Sequence, residues 1–423
     1  SQGWKSFLTK ILPVRANQPV GLSQGSMLFI AIVIPLLVVA AATTVYFQTG
    51  RTEQRQVYFQ QAAAYVGQAL AQTDPILQRN DWVQVLQWLD KTESYGVTDE
   101  TRALRRRAQQ GVDSMDKIVR LDFMPVNDYA FTSAVKITRV LANNTNDLYV
   151  LDGASGRVTH LMLGAQGYDL DANFNCGPGL SGSINIGPLV DIALMPLGNP
   201  QRASVLGLDN RGTVVYCIQG KPPISAQLAP PTTGWGVPTR IHFASYMLSV
   251  LDVKSNTVWR YAAARDMVFA DTPRSFFKDS HNLNLVDVVD MTVYNDDLFL
   301  LRGDGRVVKC TDSRVSNIPV RCSDPLKCEA RRPGRETSPT TLGDTTFKQL
   351  IAVEMPNPSL YMLDTGSPAV YQFSMALYLN EQYRAQPYGE TTLPDEAPTA
   401  FAISTNRQVF IAFGSRLVYA QIR

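Results

Sequence analysis

The sequence has very little histidine and no excess of basic residues. It has 3 histidines among 423 residues, and its 39 Lys and Arg offset 37 Asp and Glu to leave a net charge of +2. A nucleic-acid-binding domain usually carries a clear basic excess, so we expect no nucleic-acid partner. His160, His242 and His281 are widely separated, and the cysteine spacings do not resemble a zinc ligand set. We therefore expect no catalytic residues, no metal and no cofactor.

Cysteine is absent from the N-terminal part of the chain. The pairs Cys176 with Cys217 and Cys310 with Cys322 are predicted to form disulfides, which leaves Cys328 either free or available to another chain. Disulfides persist in oxidising compartments. We therefore expect the cysteine-bearing part of the protein to lie outside the cytoplasm.

Charge is also absent from one long apolar run. No charged residue occurs between Arg15 and Arg51, and the run from Met27 to Phe47 is almost entirely apolar. A helix of that length reaches about 30 Å, the thickness of bilayer hydrocarbon, so we predict one transmembrane helix at 26–48 in contact with membrane lipid. The basic residues before the helix favour a cytoplasmic juxtamembrane segment at 1–25 and a single-pass protein of the cell membrane.

Helical periodicity continues beyond the apolar run and predicts a stalk at 49–118. The first helix is expected to leave the membrane and to end near Pro75, because proline disfavours helix in the residue before it. Asn80 or Asp81 is predicted to cap a second helix, and a third helix is predicted after Gly96.

The rest of the chain, 119–423, contains an internal repeat. Six segments share the pattern of an apolar strand, a turn and a second apolar strand, and further apolar runs precede several of them. The six segments are Leu148 to Leu161, Val205 to Cys217, Leu248 to Tyr261, Leu298 to Cys310, Leu360 to Phe373 and Val409 to Ala420. This spacing is typical of four-stranded propeller blades, so the sequence predicts a mainly β protein with a six-bladed β-propeller.

Aspartate recurs where four of the first strands end. A short carboxylate in a turn accepts hydrogen bonds from backbone NH groups, so these side chains are predicted to be structural. They are Asp152, Asp209, Asp252 and Asp364. A ring of carboxylates around a metal is the alternative, but Arg302 and Phe413 replace aspartate in the other two repeats and disfavour it.

The segment Lys117 to Phe123 follows the stalk directly and has the composition of a strand. We expect it to pair in the last blade. Such pairing would close the ring and remove an open sheet edge.

Several motifs together resemble a known family. The chain carries LPVR and VGLSQGS before the apolar run, and later CGPG, SFFKD, VVDMTVYNDDLFLLRGDGRVVKCTDS and TAFAISTNRQVFIAFGSRLVYA. From about Leu12 onward it resembles the C-terminal portion of bacterial PPM-type (PP2C-like) phosphatase-domain proteins, and Gly187 to Cys217 is the most specific stretch. The resemblance implies a cytoplasmic phosphatase-like domain before the anchor. No stretch before Ser23 could hold that domain, so none of its catalytic residues is carried over.

The function expected from these features is binding rather than catalysis. We predict a non-catalytic binding or sensing module with a protein partner, or self-association, through the propeller loops. A structural subunit of a cell-envelope or membrane-protein assembly is the alternative. A propeller hydrolase or lyase is a third possibility, for which the three scattered histidines offer little material.

Overall fold

A computed structural model describes residues 24–126, 131–278, 283–312, 320–323, 345–354, 357–386 and 393–422. The chain divides into two compact units, Ser1–Gln110 and Gly111–Arg423. Cys328, His281 and nearly all of the predicted juxtamembrane segment lie outside the described residues.

The first unit is helical. Helix α1 (Gln24–Ala71) begins in the apolar run and continues far beyond it. From Leu28 onward, helix α1 contains a segment that is long and apolar enough to cross a membrane. The part of α1 that leaves the apolar run is joined by α2 (Pro75–Glu93) and α3 (Asp99–Asp116), as the periodicity predicts.

The predicted cap of the second helix is wrong. Helix α2 begins at Pro75, and its cap is Asp74, whose side chain accepts hydrogen bonds from the NH groups of Ile76 and Leu77. Proline is well suited to the first turn of a helix, because its missing NH would have no partner there. Helix α1 ends at Ala71, and Pro75 starts the next helix several residues before Asn80 and Asp81.

The second unit is a six-bladed β-propeller, which confirms the predicted fold class. Two short strands, β1 (Ile118–Leu121) and β2 (Met124–Pro125), precede the blades. Blade 1 is formed by β3 (Ile137–Ala142), β4 (Leu148–Asp152), β5 (Arg157–Gly164) and β6 (Gly167–Leu170), and it is followed by the separate hairpin of β7 (Gly179–Ser181) and β8 (Ile184–Ile186). Blade 2 is formed by β9 (Leu189–Leu194), β10 (Val205–Asp209), β11 (Thr213–Cys217) and β12 (Ile224–Gln227). Blade 3 is formed by β13 (Pro238–Ala244), β14 (Met247–Asp252), β15 (Thr257–Ala262) and β16 (Arg274–Ser275).

The remaining three blades follow the same order, with the innermost strand first. Blade 4 is formed by β17 (Val288–Tyr294), β18 (Asp297–Arg302), β19 (Val307–Thr311) and β20 (Arg321–Cys322). Blade 5 is formed by β21 (Phe347–Val353), β22 (Ser359–Asp364), β23 (Ala369–Ser374) and β24 (Leu379–Ala385). Blade 6 is formed by β25 (Ala400–Ile403), β26 (Gln408–Phe413) and β27 (Arg416–Gln421). All six predicted hairpins are present, each formed by the second and third strands of a blade.

The ring closes differently from the prediction. Strand β1 lies parallel to β24 as a fifth strand of blade 5, and β2, just after the predicted segment, pairs antiparallel with β27 as the fourth strand of blade 6. The segment after α3 therefore adds one strand to blade 5 and the next strand to blade 6. Arg120 in β1 is held by Asp113 at 2.8 Å, and the side chain of Gln382 donates to the carbonyl of Asp116. The last turn of α3 lies in the second compact unit, which begins at Gly111.

Six hydrophobic clusters fill the propeller, and each lies between two neighbouring blades. One of them joins Phe410 of blade 6 to Leu148 of blade 1, so the series closes on itself. Full burial of a large apolar side chain contributes about 1.5–3 kcal/mol. The blades are therefore held to each other mainly through these interfaces.

Both predicted disulfides are present. Cys176–Cys217 ties the segment after blade 1 to β11, and Cys310–Cys322 joins the directly paired strands β19 and β20 of blade 4. They cross-link residues 41 and 12 positions apart, respectively.

Candidate ligand-binding cleft at the propeller axis

The innermost strands of the first five blades each contain an irregularity at the same place. In each, a β-bulge interrupts the pairing with the second strand just before one residue near the axis. A bulge re-aims the side chain that follows it. The six equivalent residues around the ring are Arg139, Asp191, Arg240, Asp290, Gln349 and, in the sixth blade, Ala400. Basic and acidic residues therefore alternate over four successive blades.

Arg139 is the centre of this ring. Its guanidinium contacts Asp191 at 2.8 and 3.2 Å and Asp290 at 2.8 and 3.1 Å, so both contacts are bidentate. The three side chains are 7%, 1% and 0% exposed. Burial alone would raise the pKa of the Asp290 carboxyl, but the charge and hydrogen bonds of Arg139 outweigh it and hold that pKa below its usual value.

The ring also connects three pairs of adjacent blades through backbone NH groups. Three of its side chains accept a hydrogen bond from an NH group of the next innermost strand, which has no further strand to pair with on the axial side. The pairs are Ile241 to Asp191 at 2.8 Å, Leu350 to Asp290 at 3.0 Å and Phe401 to Gln349 at 3.2 Å. Gln349 in turn donates to the carbonyl of Thr138 in blade 1 at 2.7 Å. Charge pairing and backbone capping together fix the blades around the axis.

A narrow well of about 210 Å³ lies along the axis on one side of the ring and reaches down to Arg139. Its walls are mostly aliphatic, and among its polar wall groups His242 and Thr292 contact each other at 3.4 Å. Burial lowers the pKa of His242 to about 4, so the imidazole is neutral at pH 7. Its Nε2 atom is buried and has no hydrogen-bond partner among the described residues.

The well opens into a wider cleft of about 840 Å³, with which it shares four lining residues, among them His242 and Phe243. The cleft is lined mainly by the ends of the innermost strands and by the loops that lead from them to the second strands in blades 1 to 5. Aromatic and aliphatic side chains dominate the lining. Its volume lies within the range of about 300–1,000 Å³ found for ligand-binding clefts.

One rim of the cleft is a loop of blade 2 that holds an apolar side chain out into solvent. The buried side chain of Asn199 donates to the carbonyls of Pro196 and Ala203, each at 2.8 Å, and accepts from the NH of Ala203 at 3.1 Å. Leu197, within this braced loop, is 82% exposed. The rim of the cleft thus carries an exposed apolar side chain on a loop that is braced by hydrogen bonds.

A second apolar side chain reaches the rim from blade 3. The hairpin between β13 and β14 turns through Ser245 and Tyr246, whose φ angles are 50° and 60°. Two-residue turns with positive φ at both positions favour Asn and Gly, because other residues are strained there. Tyr246 is nevertheless present and is 61% exposed. The turn therefore holds an aromatic side chain at the cleft at a cost to its own stability.

The rim also carries one cation and one anion. Arg202 of the blade 2 loop and Glu354 at the end of β21 line the cleft and are exposed. Neither forms an ion pair with another residue in the described ranges. Both charges are consequently available to a ligand.

The aspartates predicted from the sequence lie at the other end of the blades. Each is the last residue of the second strand of its blade, whereas the cleft loops precede that strand. Each accepts a hydrogen bond from a backbone NH just before the innermost strand of its own blade: Asp152 from Lys136, Asp209 from Gly187, Asp252 from Gly236 and Asp364 from Thr346. In blade 4 the polarity is reversed, and Arg302 donates to Asp287 at 2.8 Å. Within the described residues no cluster of His, Cys, Asp or Glu is placed to hold a metal.

The charged ring and the cleft were missed from the sequence. One signal was available, because Asp191 and Asp290 interrupt two otherwise apolar strands, LVDIAL and VVDMTVY, at equivalent places. A carboxylate inside a buried strand needs a partner. The partner, Arg139, could not be identified without the bulge and the ring geometry.

The comparisons with known proteins show similarity of fold only. No family model and no curated protein matches the chain. Among solved structures, a streptogramin B lyase is 9% identical with a TM-score of 0.44, over 72% of this chain and 98% of that one. The virginiamycin B lyase of Staphylococcus aureus is 10% identical with a TM-score of 0.42, over 72% and 99% of the two chains. The WD40 propeller domain of Doa1 is 10% identical with a TM-score of 0.41, over 72% and 98%.

Proposed function

We propose that this protein is a membrane-anchored, extracytoplasmic binding module that takes a polypeptide segment of a partner protein into the axial cleft. The observation that carries the proposal is the rim, where Leu197 and Tyr246 are held exposed beside a cavity of about 840 Å³. Burying two such side chains on binding contributes about 1.5–3 kcal/mol each. A polypeptide also offers charged groups of both signs to Arg202 and Glu354.

Preorganisation supports a binding role. Ordering a loop or a side chain at an interface costs free energy, so a surface that is already fixed binds more tightly than a flexible one. Here the blade 2 loop is braced by Asn199, and the strands beneath the cleft are locked by Arg139 and its two carboxylates. These contacts support a cleft that is preorganised for binding.

The proposed location follows from the anchor and the disulfides. Helix α1 has the length and composition of a membrane span, and two disulfides are typical of an oxidising compartment. We place the propeller outside the cytoplasm on this basis. Mass spectrometry of the protein trapped with an alkylating agent in intact cells should find Cys176 and Cys217 oxidised, and both thiols alkylated without prior reduction would contradict this location.

The resemblance to PPM-type proteins supports a second part of the proposal, in which such a module is coupled to a phosphatase-like domain across the membrane. Binding outside would then bias an activity inside. The intact mass of the protein extracted from its native membrane tests this part. A mass well above 46.7 kDa, with phosphatase-like sequence before Ser1, is the expected result, and a mass equal to that of the chain contradicts it.

The binding role is tested by selecting ligands for the full chain in lipid nanodiscs from a random peptide display library. Selected peptides should bind the unmodified protein and lose most of their affinity when Leu197 is changed to Asp. The matched control is Leu180→Asp, in the β7–β8 hairpin, because Leu180 is 78% exposed and lies outside the cleft. Failure to select any peptide, or equal loss with both variants, would overturn the proposal.

A further inference from the structure

We infer that the bound polypeptide presents three residue types in order across the cleft: an acidic residue that pairs with Arg202, a large apolar residue that enters the axial well, and a basic residue that pairs with Glu354. The inference rests on the proposed function and adds the residue types that the cleft selects. It combines the well along the axis with the two charges on the rim.

The well is an apolar pocket that every blade helps to form. In the order of the blades, its wall includes Leu141, Leu194, Phe243, Thr292, Ile351 and Ile403. Leu141, Ile351 and Ile403 are partly exposed, so solvent reaches the surface that they form. A volume of about 210 Å³ holds one large side chain and excludes a folded element. Entry of an apolar side chain is favourable because its surface leaves water.

The charges beneath the well balance each other. Arg139 contacts Asp191 and Asp290, and Arg240 lies 3.3 Å from Asp290, so two cations match two carboxylates. A charged side chain that entered the well would lose its hydration without gaining an unmatched opposite charge. A large apolar anchor is therefore favoured over lysine, arginine, aspartate or glutamate.

The two rim charges lie on opposite sides of this well. Arg202 belongs to the loop between β9 and β10 of blade 2, and Glu354 directly follows β21 of blade 5. In a ring of six, blades 2 and 5 are three positions apart and face each other across the axis. Both side chains line the cleft and are exposed. An extended segment that crosses the axis above the well therefore meets a cation on one side and an anion on the other.

The three contacts contribute in different ways. An anchor residue that fills a central pocket dominates the affinity of many interfaces. Exposed ion pairs at a rim add little affinity, but they help to decide which partner is accepted, because like charges at the same places repel a wrong segment. The well thus supplies most of the affinity, and the rim charges fix the order of the flanking residues.

The anchor is tested by calorimetry with peptides selected on the full chain in nanodiscs. Changing the apolar anchor of a peptide to alanine should weaken binding about tenfold or more. In Ile351→Ala the well is wider, so changing a leucine anchor to phenylalanine should favour binding more than it does with the unmodified protein. This ratio of two affinities is measured on one variant, so it does not depend on how much of that variant is folded.

The rim contacts are tested by exchanging charges on both partners. A peptide whose acidic residue is changed to lysine should bind the unmodified protein about two- to tenfold more weakly, and Arg202→Glu should restore its affinity. A peptide whose basic residue is changed to glutamate should be restored by Glu354→Lys. The matched control is Lys221→Glu, because Lys221 is exposed in the turn between β11 and β12 of blade 2 and does not line the cleft. It should restore neither peptide.

The outcomes separate the selected residue types from the binding role. Peptides that require Leu197, yet lose no affinity when any one apolar residue becomes alanine, overturn the anchor. A preference between phenylalanine and leucine that Ile351→Ala leaves unchanged overturns its placement in the well. Failure of Arg202→Glu or Glu354→Lys to restore binding, or restoration by Lys221→Glu, overturns the charge order. In these cases the binding role stands, whereas absence of any selected peptide overturns both.

Discussion

Arg139 reaches across the propeller axis to Asp290, three blades away in a ring of six, at 2.8 Å. The same guanidinium holds Asp191 of the adjacent blade. Among the residues that the structure describes, each hydrophobic cluster joins two neighbouring blades, whereas this side chain links opposite sides of the ring directly. A β-bulge immediately precedes Arg139 in its strand.

Replacing Arg139 with Met should destabilise the propeller strongly. The change leaves two buried carboxylates without their main cation, and breaking a buried ion pair by removing one partner costs about 3–5 kcal/mol. Thermal and denaturant unfolding of the full chain measure the effect. The control is Arg416→Met, because Arg416 contacts Glu396 at 3.1 Å on the exposed surface, where the expected cost is below about 1 kcal/mol. Similar losses in the two variants would contradict a central role for the ring.

His242 should make stability depend on pH below neutrality. Its pKa in the folded protein is about 4 because of burial, below the value of about 6.5 expected in the unfolded chain. Between these values the unfolded state binds a proton that the folded state does not, so stability falls as the pH decreases through this window. Denaturant midpoints at pH 7.0 and 4.5 should differ less in His242→Gln than in the unmodified protein. An unchanged pH dependence would show that His242 is not held neutral.

The turn at Ser245 and Tyr246 should trade stability for binding. Changing these residues to Asn and Gly relieves the strain of two positive φ angles and should stabilise the protein by about 0.5–1 kcal/mol. It also removes the aromatic side chain from the rim, so affinity for a selected peptide should fall. Unfolding and calorimetry on the same variant measure both effects, and a loss of stability with intact affinity would be the opposite of what the structure predicts.

The two disulfides should differ in their contributions to stability. The Cys176–Cys217 bridge closes a loop of 41 residues and Cys310–Cys322 one of 12, so the chain-entropy model assigns about 4 and about 3 kcal/mol, respectively. Double alanine variants of each pair, compared by denaturant unfolding, should show the larger loss for the first pair. The reverse order would indicate that the small blade 4 loop matters more than loop length predicts.

The hairpin repeat and the long apolar helix could be predicted because both have strong local signals, a recurring pattern in one case and a charge-free apolar run in the other. The six hairpins and the turn aspartates recur with the same local chemistry, and such chemistry does not depend on distant residues. The error at β1 is of another kind. Strand β1 and strand β2 are separated by Asp122 and Phe123, and each is added to a different blade. Sequence alone predicted that this segment closes the ring but not which sheet edges it would meet.

The cleft was beyond sequence reasoning for a similar reason. Leu197, Tyr246 and His242 come from two blades, and nothing in their local sequences brings them together. Their proximity follows from the circular order of the blades and from the bulges that align the ring. The position of a residue around a closed ring depends on the arrangement of all the blades, whereas the conformation of a turn depends mainly on its own sequence.

Photo-cross-linking in native membranes tests the central claim most directly. A photoreactive phenylalanine analogue is placed at Tyr246, on the cleft rim, or at Val286, which is 71% exposed just before β17 and therefore at the other end of the blades. The account predicts a discrete protein adduct, joined to a linear segment of the partner, with the analogue at 246 and none at 286. Adducts at 286 alone, or equal adducts at both positions, would contradict a binding site at the axial cleft.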